Sequence, residues 1–301
     1  MVHPTKLNLV KPSKFLEVTD AFTEDMMEAY LAKHMEKVNY GIGVENVDQL
    51  SQDEFASIRS YTFGASDSSV IMEVAYSSKK VPMKTKDDLL FEKINKEWDE
   101  SIGLKASVRK GRELEPLIID KITNLIEGVV LKPKHMYVSL DNEEGLATNF
   151  DGVVFEAIET NNELTDVFQP VPMEIKVCSF FGRSNYNWHK AVSEFEDNVV
   201  EKITAPKKLG TPPNANYQEH IIKMSDILGI PKYYYTQLQQ QMEFLDAQHG
   251  YLAVMDDIDW TLYFYRVPRD QHVIDELKRR AKELNAQLMQ HIVEEEKQKH
   301  M

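Results

Sequence analysis

Apolar positions recur at two periods along this chain. Met26, Met27, Tyr30, Leu31 and His34 fall three and four residues apart, and residues 16–60 read as helical stretches of an N-terminal flank. In "SYTFGASDSSVIMEVAY" Gly64 interrupts the pattern, and Ser66 or Asp67 is placed to cap a short helix from Ser68 onward. Helical spacing returns over 87–99 and over 112–127, where Leu114, Leu117, Ile118, Ile122 and Leu125 mark one face. Glu113 and Glu115 then stand near a helix start, where acids complement the helix dipole. The middle of the chain changes to period two. "HMYVSL", "ATNFDGVVFEAI" and "PVPMEIKVCSF" predict strands, separated by the polar stretches "DNEEG" and "ETNNELTD". A helix over 233–246 and two further strands, "HGYLAVMDD" and "WTLYFYRV", follow a proline-containing polar segment. Val273, Leu277, Ala281, Leu284, Leu288 and Ile292 form the stripe of one long helix from about Gln271. That stripe suits docking on its own domain, a sister subunit or a partner, the first being the ordinary outcome.

Composition narrows the class without naming a function. The chain has 301 residues, 42% hydrophobic and 28% charged, the balance of a folded globular protein with a substantial core. No apolar run approaches the roughly 20 residues of a membrane span. The first residues lack the hydrophobic segment of a secretory signal, so a cytoplasmic protein with no membrane partner is expected. The single cysteine, Cys178, sits in an apolar strand and reads as a small core residue. The net charge of −14 argues against a general polyanion binder but leaves room for one basic groove. Basic clusters at 79–86, 108–112, 206–208 and 278–282 each fit an ordinary solvated face when taken alone. There is no internal repeat, low-complexity tract or glycine-rich phosphate loop.

Strand geometry brings out one constellation. Side chains two apart on a strand share a face, so Glu174 and Lys176 lie together. Asp151 precedes them on the neighbouring predicted strand and meets them if the two strands pair as a hairpin with "ETNNELTD" as its loop. Two carboxylates and a lysine suit phosphodiester hydrolysis. The acids hold Mg²⁺ by its preference for oxygen, the ion activates a water, and the ammonium steers that water or offsets charge. A helix carboxylate such as Glu115 would complete the shell. The spacing alone also fits a hairpin whose charges face solvent, and acid-x-lysine recurs in the last helix.

Five ordered motifs add to this: "RSYTFGAS" (59–66), "GRELEPLI" (111–118), "NFDGVV", "MEIKV" and "YYYTQLQQQM" (233–242). Together, over roughly 55–265, they resemble the YqaJ-type viral recombinases, phage alkaline exonucleases related to lambda exonuclease within the PD-(D/E)XK nucleases. The resemblance implies an α/β core with a central mixed sheet flanked by helices. Together with the helical periodicity at both ends, it divides the chain into a helical flank over 1–54, an exonuclease core over 55–268 and a C-terminal amphipathic helix over 269–301, expected to be integrated as one domain. It also implies that Asp151, Glu174 and the Ile175 carbonyl hold Mg²⁺, or Mn²⁺ in its place, while Lys176 assists the water. Glu115 would approach a second ion, and Gln237 would lie near the attacking water. Arg59 and Ser66 match elements that receive the 5′ phosphate of a DNA end, and Asn149 falls where some relatives place another phosphate contact. Phe150 departs from the proline that often precedes the catalytic Asp. In "SFFGRSNYNWHK", Arg183 and Lys190 are candidate DNA contacts, and the same aromatics fit a loop packed on the domain. The implied function is 5′ to 3′ digestion of double-stranded DNA ends, leaving 3′ single strands for a single-strand annealing recombinase, with a trimeric ring as the implied homo-oligomer. An endonuclease of restriction or repair type, or a silent DNA-binding module, keeps the same fold.

Overall fold

A computed structural model of the chain describes residues 23–74, 84–96, 105–126, 128–140, 143–160, 163–178, 193–195, 199–203, 217–258 and 260–299. The expected α/β architecture is found, with a mixed sheet between helical layers and a second, smaller sheet that the sequence pattern did not predict.

The chain enters through α1 (Glu24–Lys37), whose Thr23 side chain accepts from Met26 N–H. Strand β1 (Tyr40–Val44) follows, so the flank read as helical also contributes a strand. Helices α2 (Gln52–Ser60) and α4 (Lys86–Ile94) each begin with a reciprocal capping box, Ser51 with Glu54 and Thr85 with Asp88. Between them lie β2 (Phe63–Gly64), one 3₁₀ turn and α3 (Ser68–Ile71). Neither Ser66 nor Asp67 caps α3 through its side chain; Asp67 turns back to accept Gly64 N–H at 3.0 Å. Helix α5 (Ala106–Ile126) starts well before residue 112, which places Glu113 and Glu115 in its middle and removes the dipole explanation for them.

Strands β3 (Val130–Leu131), β4 (Met136–Ser139), β5 (Leu146–Thr148), β6 (Gly152–Thr160) and β7 (Glu163–Cys178) follow. The run read as one strand over 147–158 is two, and they belong to different sheets. The small sheet has the order β1-β4-β5-β2, whereas β6 lies in the large one. β6 and β7 pair antiparallel as expected, but "ETNNELTD" is not a long loop. The ladder runs to Thr160 opposite Glu163, with an irregularity between Ala157 and Glu159 that absorbs the register change.

The rest of the large sheet comes from β8 (Ser193–Phe195), β9 (Val199–Ile203), β10 (His249–Asp256) and β11 (Leu262–Pro268), in the order β3-β6-β7-β10-β11-β9-β8. Helices α6 (Tyr217–Leu228), α7 (Lys232–Leu245) and α8 (Gln271–Lys299) complete the described chain.

Period-two alternation sorts the large sheet's residues onto two cores. Val154, Val171, Met173, Ile175, Ala253 and Phe264 pack with Ile118 and Ile122 of α5 on one face. Val153, Phe155, Leu252, Val254, Tyr265 and Val267 pack with Leu238, Met242 and Leu245 of α7 on the other. Cys178 is buried in this second core, as its surroundings in the sequence suggested. Val273, Leu277, Ala281, Leu284 and Leu288 of α8 join it too, so this helix docks on its own domain. Its basic run is held in ion pairs, among them Arg280 with Glu73 at 2.8 Å and Lys278 with Glu243 at 2.9 Å.

Candidate active site

The site forms where the chain crosses from the small sheet to the large one. Three residues, Asn149 to Asp151, connect β5 to β6. Phe150 anchors this crossing. It is 2% exposed, and its ring lies 5.9 Å from that of Tyr137, so an apolar plug does the shaping that a proline would do by fixing its backbone. Asp151 is thereby set on the α7 side of the sheet. Its Oδ2 accepts the Ile175 N–H at 3.0 Å and lies 3.5 Å from Lys176 Nζ. Among the described residues Oδ1 accepts no hydrogen bond.

Glu174 and Lys176 project from β7 toward α7, as their spacing required. Glu174 is 1% exposed, and its Oε1 accepts from Lys176 Nζ and, at 2.6 Å, from Gln237 Nε2. Gln241 donates to the other oxygen, Oε2, at 2.7 Å. Gln237 and Gln241 are four apart on α7 and so share one face, and Tyr234 extends that face by three residues. The Tyr234 ring centroid is 5.3 Å from the Lys176 ammonium. Burial, reinforced by the Asp151 charge, pushes the Glu174 carboxyl up to about 7 despite Lys176 and the Gln241 amide. Burial works against the Lys176 ammonium as well, but Glu174 and Asp151 outweigh it and hold Lys176 above its ordinary range.

A second group faces the same space. Arg59, in the last turn of α2, places Nη2 at 3.3 Å from Ser66 Oγ and at 3.3 Å from each Asp67 oxygen. Asp67 also accepts from Lys93 Nζ at 3.0 Å. Burial tends to raise Asp67, yet Lys93 and then Arg59 overcome it and bring the carboxyl down to about 2. One cavity of about 180 Å³ is lined by Arg59, Gly64, Ser66 and Asn149 together with Asp151, Glu174, Lys176 and Gln237.

Glu115 does not join this cavity. It lies on α5, which packs on the opposite face of the sheet, and it pairs with Lys132 at 2.8 Å. Arg183 and Lys190 lie outside the described residues. Gln241 and Lys93 were not singled out by the sequence, and Tyr234, with Tyr233 and Tyr235, read there as helix packing with no site role. The four-residue step from Gln237 to Gln241 was the available signal for the first; nothing local marks Lys93. Among the described residues no cluster of three or more His, Cys, Asp or Glu is set to hold a metal, and no helix is long and apolar enough to cross a membrane.

Solved structures match the chain at low identity. The alkaline exonuclease LHK-Exo from Laribacter hongkongensis is 16% identical with a TM-score of 0.46, the match covering 83% of this chain and 98% of that one. The same enzyme in complex with dAMP gives 18% and 0.44 over 83% of this chain and 98% of that one. A phage-related exonuclease from Haemophilus somnus 129PT gives 14% and 0.41 over 77% of this chain and 96% of that one. No curated protein matches the chain. Residues 54–248, about two thirds of the sequence and the span that contains every residue lining the cavity, match the model of the YqaJ-like viral recombinase domain, and the chain belongs to that family of PD-(D/E)XK nucleases.

Proposed function

We propose that the protein is a divalent-metal-dependent exonuclease that digests double-stranded DNA from the 5′ end and leaves 3′ single strands for recombination. The observation that supports this reading is the shared cavity: the residues we read as hydrolytic, Asp151, Glu174, Lys176 and Gln237, and those we read as phosphate-receiving, Arg59, Ser66 and Asn149, line one space. Asp151, Glu174 and the Ile175 carbonyl are the ligands we assign to Mg²⁺, with Mn²⁺ as an alternative. The donor set fits such an ion. It is all hard oxygen, Asp151 Oδ1 takes no hydrogen bond among the described residues, and a carboxylate raised by burial beside a second one calls for more positive charge than Lys176 supplies. When bound, the ion lowers the pKa of a water and polarises the phosphate.

The chain's own groups do the positioning. Gln241 fixes Oε2 of Glu174, so the carboxylate cannot swing. Gln237 Nε2 and Lys176 Nζ both sit on Oε1, where they orient a water for in-line attack and offset charge on the phosphate. Arg59, Ser66 and Asn149 receive the 5′ phosphate of the DNA end, a planar guanidinium being well matched to phosphate oxygens. Glu115 pairs with Lys132, so in our reading it takes part only if that ion pair opens. A homo-oligomeric ring, a single-strand annealing partner and a cytoplasmic site of action complete the proposal by family likeness.

Linear duplex DNA labelled separately at its 5′ and 3′ ends, with and without 5′ phosphate, tests it. Mg²⁺-dependent loss of the 5′ label that EDTA abolishes is expected. Cutting of closed circular duplex would overturn the exonuclease reading in favour of an endonuclease.

A further inference from the structure

Lys93 is a buried cation with no role in the hydrolytic set. It lies on α4, is 7% exposed, and places Nζ at 2.8 Å from the Arg59 carbonyl oxygen and 3.0 Å from Asp67 Oδ2. The same ammonium lies 5.6 Å from the centroid of the Phe63 ring. Enclosing a lysine costs free energy unless a close counter-charge repays it. Asp67 is that counter-charge, yet Asp67 is already engaged by Arg59 Nη2 at 3.3 Å on both oxygens and by the Gly64 N–H at 3.0 Å. Two cations thus converge on one carboxylate.

Their placement differs. Lys93 stands behind Asp67 with its side chain 7% exposed, whereas the Arg59 side chain is 23% exposed and lines the cavity beside Ser66. Were Arg59 the sole partner of Asp67, the pair would present no net charge to an incoming anion. With Lys93 added, the three groups carry one net positive charge, and Arg59 is the member that faces the cavity. Lys93 also grips the Arg59 backbone directly, fixing the end of α2 from which the guanidinium projects.

We propose that Lys93 is a positioning residue for recognition of the 5′-terminal phosphate: it neutralises Asp67 from behind, so that Arg59 stays beside Ser66 with its charge directed at the DNA end. This rests on the assignment of Arg59 and Ser66 as the phosphate-receiving side of the cavity.

The test is the affinity of the full chain, in EDTA, for duplex ends with and without a 5′ phosphate, read by fluorescence anisotropy. Wild type, Lys93→Met, Asp67→Asn and the double variant are compared. Lys93→Met is expected to lower the phosphate preference about tenfold to a hundredfold, the range of a charge-assisted contact. The double variant, which removes one charge of each sign, is expected to regain most of it. A wild-type preference retained in Lys93→Met, or a double variant that lacks the preference, overturns the inference. Should Lys93→Met fail to fold, the double variant decides by the same criterion. A wild type indifferent to the 5′ phosphate overturns the assignment of the cavity as well, and is told apart because it appears without any substitution.

Discussion

Glu174 carries a stability cost that burial of its carboxyl beside Asp151 imposes. Its carboxyl is raised from an ordinary 4.5 to about 7, so the folded state holds this proton more tightly than the unfolded chain does. The stabilisation is therefore fully present below pH 4.5 and is lost as pH rises through about 7, for a total of about 3 kcal/mol at most. In EDTA the thermal midpoint should fall between pH 5 and 8 by more in the wild type than in Asp151→Asn, which lacks the neighbouring like charge. Scanning calorimetry would show this, and parallel pH profiles for the two proteins would refute it. Adding Mg²⁺ should restore the midpoint more at pH 8 than at pH 6. Lys176→Ala removes the ammonium while leaving the proposed metal ligands, and cleavage should drop about a hundredfold or more with the circular dichroism spectrum unchanged. Of this site, Glu174 and Lys176 were legible because period two decides which side of β7 they face, and Asp151, which lies just before β6, was legible through the pairing of β6 with β7. Gln241 and Lys93 were not, because they arrive on helices whose rotation against the sheet is set by tertiary packing.

Helix α7 shows why polar letters mislead at the level of an element. Four of its glutamines fall within five positions, and Gln239, Gln240 and Gln241 are fully buried, each with a separate duty. Gln241 holds Glu174, Gln239 bonds the Pro268 carbonyl and the Asp270 N–H, and Gln240 donates to the carbonyls of Phe63 and Ala147. The sequence pattern gave the helix and nearly its ends, but amphipathic reasoning would send such residues to solvent. Gln240→Met keeps the volume and deprives two enclosed carbonyls of their donor, which should cost about 1–3 kcal/mol in urea unfolding. Because those carbonyls belong to β2 and β5, beside Ser66 and Asn149, the same variant should weaken discrimination of 5′-phosphorylated ends. The "NFD" segment was misread for a related reason. Continuous apolar patterning cannot show that a chain changes sheets, and here it does so within the three residues that contain Asp151.

At the scale of the molecule, α8 acts as a clasp. Its apolar stripe packs onto α3, α4 and α7, and its ion pairs reach Glu73 and Glu243. Leu277→Ala should cost about 2–5 kcal/mol, measured by chemical unfolding. A chain ending before Gln271 should be recovered unfolded or insoluble; a soluble, fully active truncation would show the helix to be dispensable. The individual strands and helices of the large sheet followed from the sequence pattern and their mixed-sheet arrangement from the family resemblance, whereas the small sheet followed from neither, since its strands are two to five residues long and pair across distant parts of the sequence. The short crossing between the two sheets has a further result for how substrate is handled. With only Asn149, Phe150 and Asp151 between them, and Phe150 locked in the core, the residues proposed to grip the strand terminus and those proposed to cut it are held at a fixed separation. On the proposed assignment the enzyme would work as a fixed gauge, measuring each cut from the terminus it holds, and mass spectrometry of its soluble products should find fragments of a single length.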